Sequence, residues 1–398
     1  MCLINFKNVD LDKKIDFLPN TKTNPKTLET LFGKSAITPM WVADMDFAIA
    51  KPIQKALIAR VTDSGFAYEY KPESFFKAQK NWYKNQYQID LIKEQVLYSP
   101  TITTSISVII ENFTNKGDGI IIQPPVFMEF RDVIRKSKRK IVKNALKSVK
   151  DHYVIDFDDL EDKAKQENNK VLILCNPHNP VGRVWTKNEL KKIVTICKEN
   201  DVILISDEIH KDIILFDNKF TSALLFTKKW DKIIVLTSEA KTFNLPGISD
   251  SMAIISNEEI CNSVKEIFNR YNLGRTNALT RVAFETAYKE GKPWLDKLIK
   301  TIEQNVNLIE NELSISSSKI RIIRPEGTYQ VWLDFRSIFN DTKEMLNHVT
   351  KYSGIGMNAG HWFGREGALF MRMNIATNIE NVQNAIQKII KAVEKRKE

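Results

Sequence analysis

Short, continuous apolar runs recur through the middle of the chain, and polar residues follow each of them at once. The runs cover residues 119–122, 171–175, 202–206 and 233–236. They do not alternate apolar with polar positions, which is typical of strands buried on both faces of a parallel sheet. Amphipathic stretches such as residues 188–198 separate them and predict helices. From about residue 68 to residue 255 the pattern therefore predicts an α/β fold with a mostly parallel sheet.

The hydrophobic pattern changes after residue 290. It predicts a long helix, two strands and a final helix, at residues 294–313, 320–323, 329–335 and 379–394 respectively. This order indicates a second, smaller domain of α+β type, which the N-terminal segment joins. We expect a large domain at residues 60–289 and a small domain formed by residues 1–59 together with residues 290–398.

Length and composition agree with this organisation. The chain has 398 residues, of which 43% are hydrophobic, and this is enough to bury a substantial core in one large and one smaller domain. Internal repeats and low-complexity linkers are absent from the sequence.

The formal net charge is +10, which raises the question of a nucleic-acid or acidic membrane partner. The lysines are dispersed, however, and the sequence contains neither zinc-finger spacing nor an RNA-binding aromatic motif. The nearest approaches to basic patches, residues 138–140 and 395–397, are typical of solvent-exposed faces. We therefore expect a solvated, lysine-rich surface and no nucleic-acid partner.

Cysteine and histidine spacing gives no indication of a metal site. The four cysteines, Cys2, Cys175, Cys197 and Cys261, are too widely spaced for a disulfide framework or a CxxC site. The five histidines show no HExxH spacing, so a metal is not required. The first residues lack the order of a signal peptide, and no apolar run approaches the roughly 18 residues of a membrane span. We expect a cytoplasmic protein without a membrane partner.

The most informative motif is Ser-Glu-Ala-Lys-Thr-Phe-Asn at residues 238–244, directly after the run 233–236. It places one lysine, Lys241, in a polar turn. A lysine amine can bond covalently to an aldehyde, provided that its site lowers its pKa. A lysine in a solvated loop is the alternative for this motif alone, so its companions decide between the two.

Three further polar or aromatic residues follow strand-like runs in the same way. Asp207 follows residues 202–206, Asn179 lies in an Asn-Pro-rich turn after residues 171–175, and Phe127 follows residues 119–122. Ligands bind outside the carboxyl ends of parallel strands, so these side chains are expected at one site. Taken singly, they are compatible with a loop or helix cap, an Asx turn and a core aromatic residue.

Small hydroxyl residues at 99–105 precede the apolar stretch 106–110, which predicts a turn that enters a helix. Free amides and the positive end of the helix dipole make such a terminus favourable for an anion. A plain Ser/Thr cap is explained by the same physics, so the motif alone leaves both interpretations open.

These motifs share their order and spacing with a known family, as do residues 39–47, 176–185, 206–210, 291–296, 327–329 and 370–374. The chain resembles fold-type I pyridoxal 5′-phosphate (PLP) enzymes of aminotransferase class I/II, and most closely the MalY/PatB-type cystathionine β-lyase or C-S lyase branch. The resemblance covers most of the chain and implies the fold-type I PLP-dependent transferase fold, with a large, mostly parallel sheet domain and a smaller α+β domain.

The resemblance implies a role in cofactor binding for each strand-end residue. Lys241 would hold the PLP aldehyde and then act as base at the substrate Cα. Asp207 would keep the pyridine nitrogen protonated, because a carboxylate favours a neighbouring cation. Asn179 would hydrogen-bond the ring oxygen and Phe127 would stack on the ring. His210 stands where many relatives carry a tyrosine, and it is given a supporting role beside the alternative of a structural histidine.

The phosphate and the substrate have their own implied residues. The resemblance places the phosphate at the amides of Ile102 and Thr103, the hydroxyl of Ser238, and Tyr68 of a neighbouring subunit; this implies a homodimer with shared active sites. Ser249 occupies the position of an arginine found in many aminotransferases, which favours the lyase branch.

Arg372 would bind the substrate α-carboxylate bidentately, assisted by Asn374, although a surface ion pair is the alternative for Arg372. Trp41 and Asp44 are expected at the site entrance, and ordinary packing of the N-terminal segment explains them equally well.

The implied reaction is elimination of a thiol from the β-carbon of cystathionine or another cysteine S-conjugate, which yields pyruvate and ammonia. Aminotransfer between amino acids uses the same parts and remains open from the sequence. A binding or regulatory protein that retains the fold is the third alternative, and the intact Lys241 and Arg372 argue against it. The leaving thiol depends on loop shapes that the motifs do not specify.

Overall fold

The structure is a computed structural model, and it describes residues 20–248 and 250–397. Ser249 and Cys2, which bear on the expectations above, lie outside these residues. The described helices are α1 Pro25–Phe32, α2 Lys51–Thr62, α3 Glu73–Tyr87, α4 Ile102–Phe113, α5 Met128–Lys136, α6 Phe157–Ala164, α7 Lys187–Glu199, α8 Glu239–Thr242, α9 Glu258–Arg270, α10 Ala278–Glu290, α11 Lys292–Ile315, α12 Thr342–Ser353 and α13 Ile379–Glu394. The described strands are β1 Thr38–Pro39, β2 Val96–Ser99, β3 Gly119–Ile122, β4 Lys140–Lys143, β5 Lys147–Val149, β6 His152–Val154, β7 Asn169–Cys175, β8 Ile203–Asp207, β9 Ile233–Thr237, β10 Ser251–Ile255, β11 Arg321–Ile323, β12 Gln330–Asp334, β13 Ile355–Gly356, β14 Asn358–Ala359 and β15 Phe370–Asn374.

Seven of the described strands form the main sheet, in the order β2-β10-β9-β8-β7-β3-β4. The pairs from β9 to β4 are parallel, whereas β10 runs antiparallel to both of its neighbours. The α/β fold with a mostly parallel sheet is therefore confirmed. The carboxyl ends of the parallel strands lie at one edge, which is where such sheets bind ligands.

Both faces of this sheet are buried, which explains the apolar runs without alternation. Along β7, Leu172 and Leu174 pack into one hydrophobic cluster, whereas Val171 and Ile173 pack into a second. Because successive side chains of a strand point to opposite faces, every position needs an apolar residue when helices cover both sides.

A second, antiparallel sheet has the order β11-β12-β15-β14. The long helix α11 and the final helix α13 accompany it, close to the positions that the sequence predicts. Strand β1, from the N-terminal segment, pairs in parallel with β13, so this segment lies against the C-terminal part of the chain.

A glycine connects the loop after β7 to the loop before β12. The carbonyl of Gly182 accepts hydrogen bonds from the amides of Glu326 at 2.8 Å and Gly327 at 3.0 Å. Gly182 has a φ of +74°, and an added Cβ would lie 2.7 Å from the Pro325 side chain. A larger residue would therefore be strained and would also clash where the two loops meet.

Among the described residues, the helices lack the combination of length and apolar character needed to cross a bilayer. In the same part of the chain, no group of three or more His, Cys, Asp or Glu side chains could hold a metal ion. Cys175, Cys197 and Cys261 are buried free thiols.

Candidate active site

A cavity of about 390 Å³ opens at the carboxyl ends of the main-sheet strands. Eight of the residues predicted to form the site line it: Ile102, Thr103, Phe127, Asn179, Asp207, His210, Ser238 and Lys241. The sequence separates these residues by up to 139 positions, from 102 to 241, and the sheet brings them together. Strand-end placement therefore explains most of the site.

Lys241 lies on α8, the short helix that follows β9. Ser238 caps this helix by accepting a hydrogen bond from the amide of Ala240. The Lys241 Nζ donates to the carbonyl oxygen of Ala43 at 2.7 Å. Burial, followed by the charge of Arg372, lowers the pKa of the Lys241 amine to about 8. Near neutral pH this amine therefore gains or loses a proton far more readily than a surface lysine.

Asp207 is the last residue of β8 and is 4% exposed. One carboxylate oxygen, Oδ1, accepts a hydrogen bond from the amide of Ile209 at 3.1 Å. Burial raises the pKa of Asp207 to about 7, because the described chain places too little positive charge beside it to offset desolvation. The carboxylate is therefore suited to face a cationic group of a ligand.

His210 is a neutral imidazole. Burial, together with the charges of Lys241 and Arg372, lowers its pKa to about 3. Its ring packs edge-on against Tyr329, with ring centroids 5.7 Å apart, and its Nδ1 has no hydrogen-bond partner among the described residues. A neutral ring with a free nitrogen can accept or donate one hydrogen bond to a bound molecule.

Arg372 lies on β15 and is 3% exposed. Its guanidinium donates to Asn179 Oδ1 at 3.0 Å, to Asn358 Oδ1 at 2.7 Å and to the Trp41 carbonyl at 2.9 Å. Burial lowers the pKa of Arg372 to about 10, so the group remains charged at neutral pH. The contacts exclude the surface ion pair that the sequence left open, because this guanidinium is buried beside the cavity.

Asn374, predicted to assist Arg372, makes backbone contacts. The Nδ2 of its side chain donates to the backbone carbonyls of Val42 and Asp44, each at 2.5 Å. Both contacts hold the segment of residues 41–47, which we call the 41–47 segment. The side chain of Asn374 therefore positions a part of the cavity wall, which includes Ala43.

Two residues whose individual roles the sequence did not indicate also hold the 41–47 segment. The Tyr329 hydroxyl donates to the Ala43 carbonyl at 2.9 Å. Asn244, three residues after Lys241, accepts from the Met45 amide at 3.0 Å and donates to the carbonyls of Met45 and Phe47. Both residues lie within the family motifs, and this was the only signal that could have identified them.

The N-terminus of α4 faces the cavity through Ile102 and Thr103. Thr101 caps the helix by accepting a hydrogen bond from the Thr104 amide at 3.1 Å. The first amides of a helix have no intrahelical acceptor, so those of Ile102 and Thr103 can bind an anion. The hydroxyl of Ser238 donates to the Asp250 carbonyl at 2.5 Å and therefore has lone pairs, but no free proton, to offer a ligand.

Phe127 directly precedes α5 and lines the cavity. Its ring packs edge-on against Phe130, with centroids 5.7 Å apart. This contact fixes the ring at the cavity wall, because an edge-to-face pair adds roughly 0.5–1.5 kcal/mol to the apolar burial.

Tyr68 is not brought to this cavity within the described chain. Its side chain is 100% exposed, and the neighbouring Tyr70 is 82% exposed. Glu69 lies between them and pairs with Arg60 and Arg281, so the exposed segment is anchored at its middle.

Two acids line the cavity without a signal in the sequence that named them, Glu129 and Asp250. Glu129 lies in the first turn of α5, two residues after Phe127. Asp250 is 9% exposed, and burial raises its pKa to about 6. Both were missed because acids in loops and first helix turns are common features of exposed surfaces.

Trp41 and Asp44 lie on the 41–47 segment beside Lys22. The Trp41 Nε1 donates to the Lys22 carbonyl at 3.1 Å, and the Lys22 ammonium lies 3.3 Å from Asp44. Burial, the largest influence, raises the pKa of Asp44 despite this pair. Their predicted place at the entrance stays a prediction.

A lysine of lowered pKa and a buried carboxylate line one cavity, and a buried guanidinium lies beside it, so this is the candidate active site of an α/β enzyme. The profile of the family described as aminotransferase class I and II matches residues 50–389. The chain belongs to this family.

Similar proteins have more specific names. The chain is 34% identical over 382 residues to cystathionine beta-lyase PatB of Bacillus subtilis, covering 96% of this chain and 99% of that protein. It superposes on cystalysin from Treponema denticola, which contains a pyridoxal 5′-phosphate cofactor, with a TM-score of 0.93, 31% identity and coverage of 98% and 100%. The PLP-bound C-S lyase from Staphylococcus hominis gives a TM-score of 0.89 and 29% identity, with coverage of 98% and 99%.

Proposed function

We propose that this protein is a PLP-dependent carbon–sulfur β-lyase that cleaves cystathionine or a related cysteine S-conjugate to a thiol, pyruvate and ammonia. The observation that carries the proposal is the buried Lys241 amine, with a pKa of about 8, in one cavity with Asp207 and next to Arg372. The lyase names of full-length relatives and of superposing structures support the reaction type.

The residues of the cavity fit PLP. Lys241 would hold its aldehyde covalently, and Asp207 would face its pyridine nitrogen, where a cation would offset the desolvation that raises the pKa of this carboxyl. Asn179 would bind the ring oxygen, Phe127 would stack on the ring, and His210 would support the site as a neutral hydrogen-bonding group. The α4 amides of Ile102 and Thr103 would hold the phosphate, and the Ser238 hydroxyl would join them by turning its proton from the Asp250 carbonyl to the phosphate. When bound, PLP supplies an electron sink next to the substrate Cα.

Lys241 would move the proton. After the substrate amine has displaced it, the Nζ is neutral in a useful fraction of molecules near neutral pH and can take the proton from Cα. Its hydrogen bond to the Ala43 carbonyl keeps the amine at the cavity wall rather than in solvent. Proton transfer by a positioned side chain typically contributes about 10²–10⁴-fold to a rate.

Arg372 would orient the substrate. A guanidinium whose nitrogens are already held by Asn179, Asn358 and the Trp41 carbonyl offers its remaining donors in a fixed direction to an α-carboxylate. Fixing the carboxylate sets the direction of the Cα–H bond toward Lys241. Orientation of this kind lowers the barrier because the entropy is lost on binding and not in the reaction itself.

Water is the second reactant of the overall elimination. The Cα proton is removed, the Cβ–S bond breaks and its electron pair leaves with sulfur as a thiolate, which takes up a proton. The remaining unsaturated amino acid takes up water and yields pyruvate and ammonia.

A pyruvate assay distinguishes this reaction from aminotransfer, the alternative within the family. Holoenzyme is incubated with cystathionine and without a keto acid, and pyruvate and free thiol are followed together. Continuous release of both in equal amounts is expected. A single stoichiometric turnover that resumes only when a keto acid is added would contradict the lyase and support aminotransfer. A panel of cysteine S-conjugates then ranks the leaving thiols.

The organisation of the protein is part of the proposal. We assign residues 60–289 to a PLP-binding domain and residues 1–59 with 290–398 to a smaller domain, consistent with the separation of the seven-stranded sheet from the four-stranded sheet. We further infer a cytoplasmic homodimer in which Tyr68, fully exposed in the single chain, reaches the phosphate in the other subunit.

Mixed subunits test the shared site. Tyr68→Ala and Lys241→Ala chains are each expected to be weakly active or inactive, but their co-expressed mixture should regain pyruvate release. In a hybrid dimer, the site with an intact Lys241 receives Tyr68 from the other chain. Tyr352→Ala, which truncates a tyrosine that is 51% exposed on α12, is the control and should be fully active alone. A mixture no more active than its parents would contradict the shared site.

A further inference from the structure

A buried polar network lies around Asp212, whose side chain is 2% exposed and which the proposed mechanism does not use. Its carboxylate accepts hydrogen bonds from four side chains of three different parts of the chain. The donors are Trp82 Nε1 at 2.8 Å, Tyr87 Oη, Thr242 Oγ1 at 2.8 Å and Lys211 Nζ at 3.1 Å.

The charge of this network is balanced internally. Lys211 is 1% exposed and also donates to Thr237 Oγ1 at 2.9 Å, at the end of β9. Burial acts to raise the pKa of Asp212, but the Lys211 charge and the hydrogen bonds from Tyr87, Thr242 and Trp82 outweigh it, so the pKa is lowered. A buried pair of this kind is weak evidence for stability, and such pairs can instead fix one geometry.

One donor of the network is the residue next to Lys241. Thr242 is the last residue of α8, which spans only Glu239–Thr242. A single helical turn is marginal by itself, because nucleation costs more than its few hydrogen bonds return. The direction of α8, and with it the direction of the Lys241 side chain, therefore depends on contacts outside the helix.

Two such contacts, both hydrogen bonds, hold α8 from different sides. The Nζ of Lys241 donates to the Ala43 carbonyl at 2.7 Å on the cavity side. The Thr242 hydroxyl donates to Asp212 at 2.8 Å within the buried core. Adjacent residues of one helical turn are thus fixed to the N-terminal segment and to the loop after β8.

We propose that Asp212 is a positioning residue for Lys241, and that it acts through the hydroxyl of Thr242. The inference rests on the proposed use of Lys241 as the covalent anchor for PLP. Lys211, Trp82 and Tyr87 hold the carboxylate in place, and Asp212 in turn holds α8 so that the Lys241 amine stays buried in the cavity. Neither Asp212 nor Thr242 touches the substrate in this account.

The consequence concerns both geometry and proton affinity. Burial is the largest cause of the lowered Lys241 pKa, followed by the charge of Arg372, whereas Asp44, Glu129 and Asp207 act to raise it. If α8 loosens, water reaches the Lys241 amine, and the effect of burial on its pKa becomes weaker. The pKa of Lys241 then rises from about 8 toward its ordinary value of 10.5.

The test is the capture of PLP by the full-length apo-protein, followed as the rate at which visible absorbance appears after PLP is added at a series of pH values. Only the neutral amine reacts, so the rate rises with pH, and the ionisations of PLP itself are common to all variants. Thr242→Val keeps the shape of the side chain and removes the hydroxyl, whereas Thr242→Ser keeps the hydroxyl. For Thr242→Val we expect PLP capture about tenfold to hundredfold slower at neutral pH. The midpoint of the curve of capture rate against pH should lie at a higher pH than in the wild type.

Thr242→Ser should keep the wild-type midpoint and most of the wild-type rate. A Thr242→Val protein with the rate and midpoint of the wild type would overturn the proposal, as would a Thr242→Ser protein impaired to the same degree. Ser222→Ala is the matched control, because Ser222 donates at 2.7 Å to another buried carboxylate, that of Glu208. It should lose stability without a shift of the midpoint; an equal shift would overturn the proposal.

A second variant and the order of the reaction steps separate the possible outcomes. If Thr242→Val does not fold, Thr242→Ala removes the same hydroxyl with a smaller side chain, and an unchanged midpoint in that variant would overturn the proposal. Capture of PLP precedes both elimination and aminotransfer, so a failed pyruvate assay with normal capture would reject the lyase and leave the positioning test intact.

Discussion

The Arg372 guanidinium donates to the amide oxygen of Asn179 across 3.0 Å, so a strand of the antiparallel sheet is joined to the loop after β7 of the main sheet. The two residues are 193 positions apart in the chain. In the proposed mechanism one of them binds the substrate carboxylate and the other binds the cofactor ring. In that mechanism, this contact would set the distance between the two molecules that must react.

Arg372→Lys should raise the KM for cystathionine by roughly tenfold to hundredfold, because a lysine ammonium cannot present two parallel donors to a carboxylate. It also cannot reach Asn179, Asn358 and the Trp41 carbonyl together, and it leaves buried acceptors without donors. Steady-state kinetics of pyruvate release measure the change. Arg336→Lys, at a pair between the partly exposed Arg336 and the buried Asp334, is the control and should leave KM unchanged. An unaltered KM in Arg372→Lys would remove Arg372 from the substrate site.

Asp207 predicts a pH-dependent stability of the apo-protein. Its pKa is near the ordinary 3.8 when unfolded and about 7 when folded, so between these values the folded chain keeps a proton that the unfolded chain loses. The free energy of unfolding therefore falls as pH rises from about 4 to about 7. Glu208 and Glu239, whose pKa values burial raises to about 7, act in the same direction.

The Asp207→Asn apo-protein should be more stable than the wild type near pH 7. Its free energy of unfolding should be larger by at most on the order of a few kcal/mol. The same variant should bind PLP more weakly, since the partner for the pyridine nitrogen is lost. Urea unfolding at several pH values and titration with PLP measure the two effects. Asp90→Asn, at an exposed pair with Lys84, is the control. Parallel loss of apo-protein stability and PLP affinity would contradict the interpretation.

Asn374→Ala should loosen the 41–47 segment, because it removes two hydrogen bonds to the Val42 and Asp44 carbonyls. Leaving such part-buried carbonyls unsatisfied costs at most about 1–3 kcal/mol. We expect a decrease of that size in the free energy of unfolding and a higher KM, measured by urea unfolding and pyruvate kinetics. Asn381→Ala is the matched control. It removes an exposed asparagine of α13 that donates a hydrogen bond to the Thr377 hydroxyl. If both variants behave alike, the Asn374 contacts are not specific to the site.

Lys241→Ala should abolish both the visible absorbance of bound PLP and pyruvate release, because the covalent anchor and the base are the same amine. Absorbance after dialysis and a pyruvate assay measure the two losses. Lys232→Ala removes a surface lysine paired with Asp201 and should behave as the wild type. Pyruvate release by Lys241→Ala at the wild-type rate would refute the assignment.

The main-sheet strands could be predicted from the sequence because burial on both faces leaves a distinct apolar run. The prediction of residues 119–122 matches β3, and that of residues 233–236 falls one residue short of the end of β9 at Thr237. The final helix is predicted at its observed bounds, Ile379–Glu394, because its apolar stripe is regular and Asn378 caps it.

The candidate site was predictable to the extent that its residues follow strands. Asp207 and Lys241 have this signal, since a parallel sheet places successive strand ends at one edge. The contacts of Asn374 and Tyr329 with the 41–47 segment have no such signal, because a side chain that bonds a distant carbonyl leaves no periodic trace. The interaction of Thr242 with Asp212 is hidden for the same reason, since both are ordinary polar residues in the sequence.

The hydrogen bonds of the 41–47 segment join the beginning of the chain to residues that are synthesised near its end. Ala43 leaves the ribosome early, but its partner Tyr329 follows 286 residues later, and the Asp44 carbonyl is bonded by Asn374 after 330 residues. Contacts of such long sequence separation form slowly, because a large loop must close before they contribute. A nascent chain that ends before β15 lacks Asn374, the donor to the Val42 and Asp44 carbonyls, so this part of the cavity wall is complete only after almost the entire chain has been translated.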